Sequence, residues 1–262
     1  MLNQALVIAR KEVVDGMRDV RSLIASLLYA LMGPLVVGLV SMASRADANP
    51  ESRAAVVAGM MSVFTLVAAF VGGMGVAMDT VAGERERRSL LPLLLNPVRR
   101  LDIVLGKWLG VSLFAIAGLL VNLMGSAVVL ATSRMHMTSA WPRLLLPLAL
   151  GIFSLPLLAA AMQLLISTVC RTAKEAQTYL SLIVFLPMGI GLFLVFFPAA
   201  IRAWRSFLPI VGQQAQLELL MKGSQIQILP SFVLGCLTLS VAILILLAAA
   251  NRLQRDEIIY GD

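Results

Sequence analysis

Six apolar runs of twenty or more residues, at about 23–42, 55–78, 103–132, 144–169, 178–200 and 228–250, divide this chain. At 1.5 Å rise per residue, about twenty residues cross a hydrocarbon core about 30 Å thick. No water in that core can satisfy an open backbone, so each run must close its own hydrogen bonds, which a helix does. The expected fold class is therefore an all-α membrane protein with six transmembrane helices. The residues are 60% hydrophobic and 13% charged, against about 45–50% and about 25% in soluble domains. No polar stretch is long enough for a separate soluble unit, so residues 1–262 read as a single membrane domain.

The first run is followed by Ala46-Asp47-Ala48, a small-residue pattern like the end of a secretory leader. Its length exceeds the about 7–15 residues of a leader core, so it reads as a retained span. Pro34, Pro147, Pro156 and Pro187 fall inside apolar runs and predict kinks. Glycines 72, 73, 75, 189 and 191 predict close helix contacts or local irregularity.

The formal charge of +7 is spread in short Lys/Arg clusters beside apolar runs, which marks topology rather than nucleic-acid binding. With six spans, one side holds Arg10, Lys11, Arg18, Arg21, Arg85, Arg87, Arg88, Arg99, Arg100, Lys107, Arg171, Lys174, Arg252 and Arg255. The other holds Arg45, Arg53, Arg134, Arg143, Arg202, Arg205 and Lys222. The first set is twice the second, so it is expected to be cytoplasmic, together with both termini.

Ahead of the first run, Leu2, Leu6, Ala9, Val13, Met17 and Val20 recur at helical spacing with charges on the other faces. Residues 1–22 thus predict an amphipathic helix on the inner membrane surface. Residues 202–227 are too polar to cross and too apolar for an ordinary loop; Leu217, Leu220 and Met221 share a face after Gln213, Gln214 and Gln216. A short external helix or re-entrant hairpin is expected there, with an ordered loop as the alternative.

The loop at 79–102 carries the densest charge. Glu84, Arg85, Glu86, Arg87 and Arg88 are consecutive, and Leu90, Leu91, Leu93, Leu94 and Leu95 follow. Five charges at mid-bilayer would cost more than about 10 kcal/mol, so the block faces water. The leucines behind it call for a protein or interfacial partner. Glu84 and Arg88 support a helical turn at i,i+4, Pro92 predicts a break or a new first turn near Leu91, and Asn96-Pro97 a stop. Two short helical pieces are expected, with the charges on the first.

The stretch Ala82 to Lys107, AGERERRSLLPLLLNPVRRLDIVLGK, resembles the cytoplasmic loop of ATP-binding-cassette exporter permeases of the second type, the NatB-like group of sodium exporters among them. There a G-E-R-E-R block leads into T-L-E-P-L-L, then Pro, a basic residue and G-K. Ser89 stands here for the usual Thr, and Leu91 where Glu is common. Residues 9–23 resemble the family's N-terminal elbow helix, and 208–223 its external segment. The resemblance implies a coupling helix between spans 2 and 3, with Gly83, Glu84, Arg85, Glu86, Arg87, Arg88, Leu90, Leu93 and Leu94 docking a separate ABC ATPase subunit. It also implies a second permease copy or a related permease as partner, a place in the cell (inner) membrane, and ATP and magnesium held by the ATPase.

Absences agree with that division. Gly106-Lys107 is followed by Trp108, and Leu101 stands five residues before Gly106, so no phosphate-cradling G-x-x-x-x-G-K-[ST] exists and no cofactor is expected in this chain. Asn122 and Gln163, among the few polar residues inside the runs, are candidates for a substrate path, with interhelical hydrogen bonding as the plainer role. Asp79 is expected at the inner boundary. His136 is expected in an external loop, and Cys170 and Cys236 as buried structural thiols. A self-contained channel or secondary transporter also fits six spans, though no inverted repeat is visible. An intramembrane enzyme fits less well, lacking H-E-x-x-H and G-x-S-x-G.

Overall fold

A computed structural model describes residues 2–43, 50–90, 92, 98–132, 149, 151–197, 206–221 and 227–253, and every regular element among them is helical. Helix α1 (Leu2–Arg18) leads into α2 (Val20–Ala43) and α3 (Pro50–Val71). A broken continuation follows: α4 (Met74–Met78), a π-helical turn (Asp79–Gly83) and α5 (Glu84–Glu86). Then come α6 (Arg100–Thr132), α7 (Ser154–Val169), α8 (Ala173–Phe196), α9 (Val211–Met221) and α10 (Ile228–Arg252).

Among the described residues, five stretches are long and apolar enough to cross a membrane: Val20–Ala43, Val56–Glu86, Arg100–Thr132, Ala173–Phe196 and Ile228–Arg252. The run expected at 144–169 yields a 16-residue helix starting at Ser154. Proline lacks an N–H and is tolerated in a first turn, so Pro156 suits a start at Ser154. Residues 144–148, with Pro147, lie outside the described residues, as does His136.

Helix α6 has 33 residues, about 50 Å at 1.5 Å each, so it overruns a hydrocarbon core of about 30 Å. It packs against α1, α2, α3 and α7, while α10 lies mainly along α7. Near its middle, Asn122 joins two neighbours: its Nδ2 donates to Ala30 O at 3.0 Å, and its Oδ1 accepts from Thr65 Oγ1 at 3.1 Å.

The second long stretch breaks at Gly72-Gly73. A Cβ at Gly72 would meet Phe114 O at 2.8 Å and the Gly118 Cα at 3.1 Å, so the end of α3 crosses α6 glycine on glycine. The buried Gln163 amide of α7 donates to Phe70 O beside this break. A buried carbonyl beside a helix break needs such a partner. Of the other glycines, Gly191 abuts Val63, while a Cβ at Gly189 would meet nothing within 4 Å among the described residues.

The two largest of five apolar clusters among the described residues fill much of the interior. Leu66, Phe70, Leu119, Ile152 and Leu155 form one with Ile210 and Leu217 of the 206–221 segment. Val81, Leu90, Ile103, Val104 and Leu164 form the other with Leu246 and Leu253. Cys170 is buried, but Cys236 is exposed on the outer face of α10.

Candidate functional site

Small residues bring the first helix onto α6. On α1, Ala5 and Ala9 are buried; on α6, a Cβ at Gly106 would sit 2.6 Å from Ile8 Cβ, and one at Gly110 2.7 Å from Glu12 Cβ. Small residues four apart on both helices allow backbones to approach this closely. The predicted apolar stripe of α1 is divided as a result: Ala9 packs inward while Leu6, Met17 and Val20 stay exposed.

That approach buries a charge. Lys107 is 0% exposed, and its ammonium uses all three donors: to Thr80 O at 2.6 Å, Glu84 Oε2 at 2.7 Å and Glu12 Oε1 at 2.9 Å. Glu84 Oε1 accepts from Lys11. Two ammoniums and two carboxylates therefore close into a neutral group, the condition under which buried ions persist. Partial burial alone would lower the Lys11 pKa. Its hydrogen bond to Glu84 and the Glu12, Glu84 and Asp15 carboxylates outweigh that and hold it above the ordinary lysine value. Reading Lys107 as a water-facing topology charge is thus corrected: the Gly106 contact draws it under α1.

The charged block is the end of a helix. In the π turn, Val81 N and Ala82 N donate to Ser167 Oγ of α7 at 3.3 and 3.0 Å. A Cβ at Gly83 would strike Asp79 Oδ1, where Arg87 Nη1 bridges back to Asp79 at 3.5 Å. After α5, Arg88 N donates to Arg85 O and Ser89 N to Glu84 O, the paired bonds of a Schellman ending. Arg88 occupies the left-handed position at φ 57°, where glycine is usual. Leu90 and Pro92 are again helical.

The nine predicted docking residues accordingly separate. Glu86, Arg87 and Arg88 are exposed and Arg85 is half-buried, whereas Gly83, Glu84 and Leu90 face inward. Leu93 and Leu94, with Leu91, lie outside the described residues. Glu86 Oε2 accepts from Ala173 N at 2.9 Å, placing a carboxylate at the start of α8, where the helix dipole favours it. Thr172 Oγ1 caps the same helix by accepting from Glu175 N. One short block thus touches α1, α6, α7, α8 and, through Leu90, the α10 cluster.

Sequence reasoning missed Glu12 and Lys107 as a pair. The available signal was Ala5-x-x-x-Ala9 running into Glu12 on one helix and Gly106-Lys107-x-x-Gly110 on the other. Of the path candidates, Asn122 is engaged at both ends of its amide, while Gln163 Oε1 has no hydrogen-bond partner among the described residues. A polar cavity of about 90 Å³ opens beside the cluster, lined by Asp15, Asp19, Ser22, Asp79 and Arg87 among others. Among the described residues, no group of three or more His, Cys, Asp or Glu is arranged to hold a metal ion.

Residues 6–254 match the profile of the family described as ABC-2 family transporter protein. The chain belongs to that family. It is 34% identical over 224 residues to the ABC transporter permease protein NatB of Bacillus subtilis, covering 80% of this chain and 56% of NatB. It is 33% identical over 132 residues to the probable ABC transporter permease protein NosY of Stutzerimonas stutzeri, covering 50% and 46%. With NosY of Pseudomonas aeruginosa it shares 36% over 103 residues, covering 39% and 37%. This ABC-2 chain therefore spans about half the length of the curated relatives it matches, or less.

Proposed function

We propose that this ABC-2 chain is the membrane-spanning permease subunit of an ATP-binding-cassette exporter, moved by a separate cytoplasmic ATPase through the 82–97 loop. In this reading the chain crosses the cell (inner) membrane six times and both termini are cytoplasmic. The lysine and arginine asymmetry supports that orientation. In this reading α1 is the elbow helix, α9 the external segment, and a second copy or a related permease completes the path. ATP and magnesium belong to the partner, because this chain has no phosphate loop.

The observation that carries the reading is the placement of Glu84. One end of the charged block is locked by Lys107 and Lys11 to α6 and α1, while Arg87 and Arg88 at the other end are exposed. A push on the exposed end is thereby delivered to several helices at once. The division of labour is that Arg87 and Arg88 meet the ATPase, Leu93 and Leu94 add apolar contact, and Gly83, Glu84 and Leu90 hold the block from within. Alternating charges set register with a partner, and leucines supply buried area. Asn122 serves as a joint between spans; Gln163, whose Oε1 has no partner among the described residues, is the better candidate to line the path.

The test is recovery of the ATPase that accompanies the wild-type chain from native membranes. Arg87→Glu combined with Arg88→Glu is expected to abolish that recovery while leaving membrane insertion intact. Survival of the complex would reduce the block to a topology signal. The chain stripped of its partner is expected to hydrolyse no ATP, and robust turnover by it alone would contradict the assignment.

A further inference from the structure

The turn at the root of the charged block has a wide hydrogen-bond register. Glu84 N donates to Asp79 O, five residues back, and to Val81 O, three back. Thr80 O, the acceptor four residues back that an α-helix would use, takes Lys107 Nζ at 2.6 Å. Val81 N and Ala82 N both donate to Ser167 Oγ, at 3.3 and 3.0 Å. Asp79-Thr80-Val81-Ala82-Gly83 contains no proline, so its own sequence does not forbid an ordinary α-turn. Two side chains from neighbouring helices, Lys107 of α6 and Ser167 of α7, hold the π form, a rare form found often at functional sites.

The two holds are unequal. Toward α6 and α1 the block is tied by the ammoniums of Lys107 and Lys11 to Glu84, and such charge-assisted bonds are about twice as strong as neutral ones. Toward α7 one neutral hydroxyl is shared between two N–H groups. Packing around it is of small side chains, Ala82 lying with Cys170 and Ala176. Leu90 shares an apolar cluster with Leu164 of α7, but apolar contact is non-directional and tolerates a shift. The bond from Ala173 N to Glu86 is exposed, where water can replace it, and residues 170–172 between α7 and α8 are not helical. Farther along α7, Leu157 O accepts from Trp108 Nε1 of α6 at 2.9 Å, which confines any parting to the Ser167 end.

We propose that the 79–83 turn is a joint: the charged block moves as one body with α1 and α6, and the seam that opens is the one with the Ser167 end of α7. Ser167 is the positioning residue that sets the rest register. Once its hydroxyl lets go, Glu84 N can turn to the second lone pair of Thr80 O, and the turn tightens toward the α form while Lys107 keeps its bond. This deepens the coupling reading and rests on it for what drives the movement, whereas the joint is a property of this chain.

Spin-label pairs read the seam, in labelled chain diluted with unlabelled chain and cleared of its own thiols by Cys170→Ala and Cys236→Ala. Gln4→Cys with Val169→Cys reports α1 against the end of α7, and Gln4→Cys with Met124→Cys reports α1 against α6; all three positions are exposed. In the native complex, trapping the ATPase with ATP and vanadate is expected to shift the first distance by about 2 Å, the scale of helix shifts at interfaces, and to leave the second unchanged. In the chain stripped of its partner, Ser167→Ala and Ser167→Val should each raise the shifted-to-rest ratio of the first pair about two- to tenfold, the contribution of one neutral hydrogen bond. Ser167→Thr, which matches Val in volume and keeps the hydroxyl, should hold the wild-type distance. The Ala variant adds no volume, so overpacking cannot mimic its result. Both pairs shifting together on trapping, Ser167→Ala and Ser167→Val chains that keep the wild-type distance, or Thr and Val chains that behave alike would overturn the proposal. A shift in the Ala and Val chains with no response to vanadate would uphold the joint and fault the coupling reading alone.

Discussion

The two ends of α7 are held by opposite kinds of polar chemistry. Ser167 lies beside the ion cluster of Lys107, Glu84, Glu12 and Lys11, and Ser154 beside three buried glutamines of α9. The thirteen helical steps from one to the other span about 20 Å. At the neutral end, Gln213 donates to Thr238 Oγ1 at 2.9 Å and Ser154 Oγ at 3.3 Å and accepts from Ile210 N. Gln214 donates to Gly191 O at 2.9 Å, and Gln216 to Ser231 Oγ at 3.0 Å. Amides pin one helix to three others with no charge to balance. The charged end holds only while all its members are present, and it extends into an exposed arginine pair.

The largest effect should therefore come from unbalancing the charged end. Lys107→Met leaves Glu12 and Glu84 buried without their cation and is expected to destabilise by about 3–5 kcal/mol, read as a fall in melting temperature of the purified chain. Neutralising all three buried members, with Glu12→Gln and Glu84→Gln added and only the half-exposed Lys11 left charged, should recover most of that loss, because well-packed neutral replacements of buried ions are often tolerated. If the triple variant is no better than the single one, the cluster is not a closed unit.

At the neutral end, Gln213→Leu should cost about 1–3 kcal/mol by stranding the buried Ile210 N–H and losing two hydroxyl contacts. That loss should not vary with salt concentration, in contrast to losses at the partly exposed Lys11. Melting curves at low and high ionic strength distinguish the two ends.

Arg88→Gly is expected to stabilise by about 1 kcal/mol, since glycine suits the left-handed position that an L side chain strains. It should also weaken ATPase recovery, because it removes an exposed charge. Gains in both stability and recovery would exclude Arg88 from the docking surface.

The smallest effect concerns pH. A lysine whose pKa is raised in the folded state contributes stability that is complete below its unfolded value and lost as pH rises through the folded one. Attachment of α1 through Lys11 should thus be constant through the neutral range and loosen only above about 10.4, the ordinary lysine value. The effect is modest because Lys11 is half-exposed and screened. Accessibility of a cysteine placed at the exposed Gln4 would follow it.

Much of this architecture is legible in the sequence because apolar runs of membrane length admit few alternatives. Five runs appear as helices of spanning length, and the charges at 84–88 mark where the second ends. What periodicity conceals is the direction a polar residue faces. Gln213, Gln214 and Gln216 read as the polar part of an external segment, yet all three are buried, because each finds a partner on a neighbouring helix. Lys107 read as a flanking charge, since a single sequence does not reveal that Gly106 and Gly110 admit α1 closely enough to cover it. Leu90 read as a docking leucine, and only the Schellman turn at Arg88 directs it into the core.

The central claim is that the 84–88 block, proposed to face the ATPase, is joined through Lys107 to both α1 and α6. Hydrogen exchange of the purified chain tests it most directly, comparing wild type, Lys107→Met and the triple neutral variant over residues 2–18 and 84–90. The account predicts that Lys107→Met loses protection in both segments together, while the triple variant largely keeps it. Protection that stays at wild-type levels in both segments of Lys107→Met, or is lost in one alone, would contradict the account.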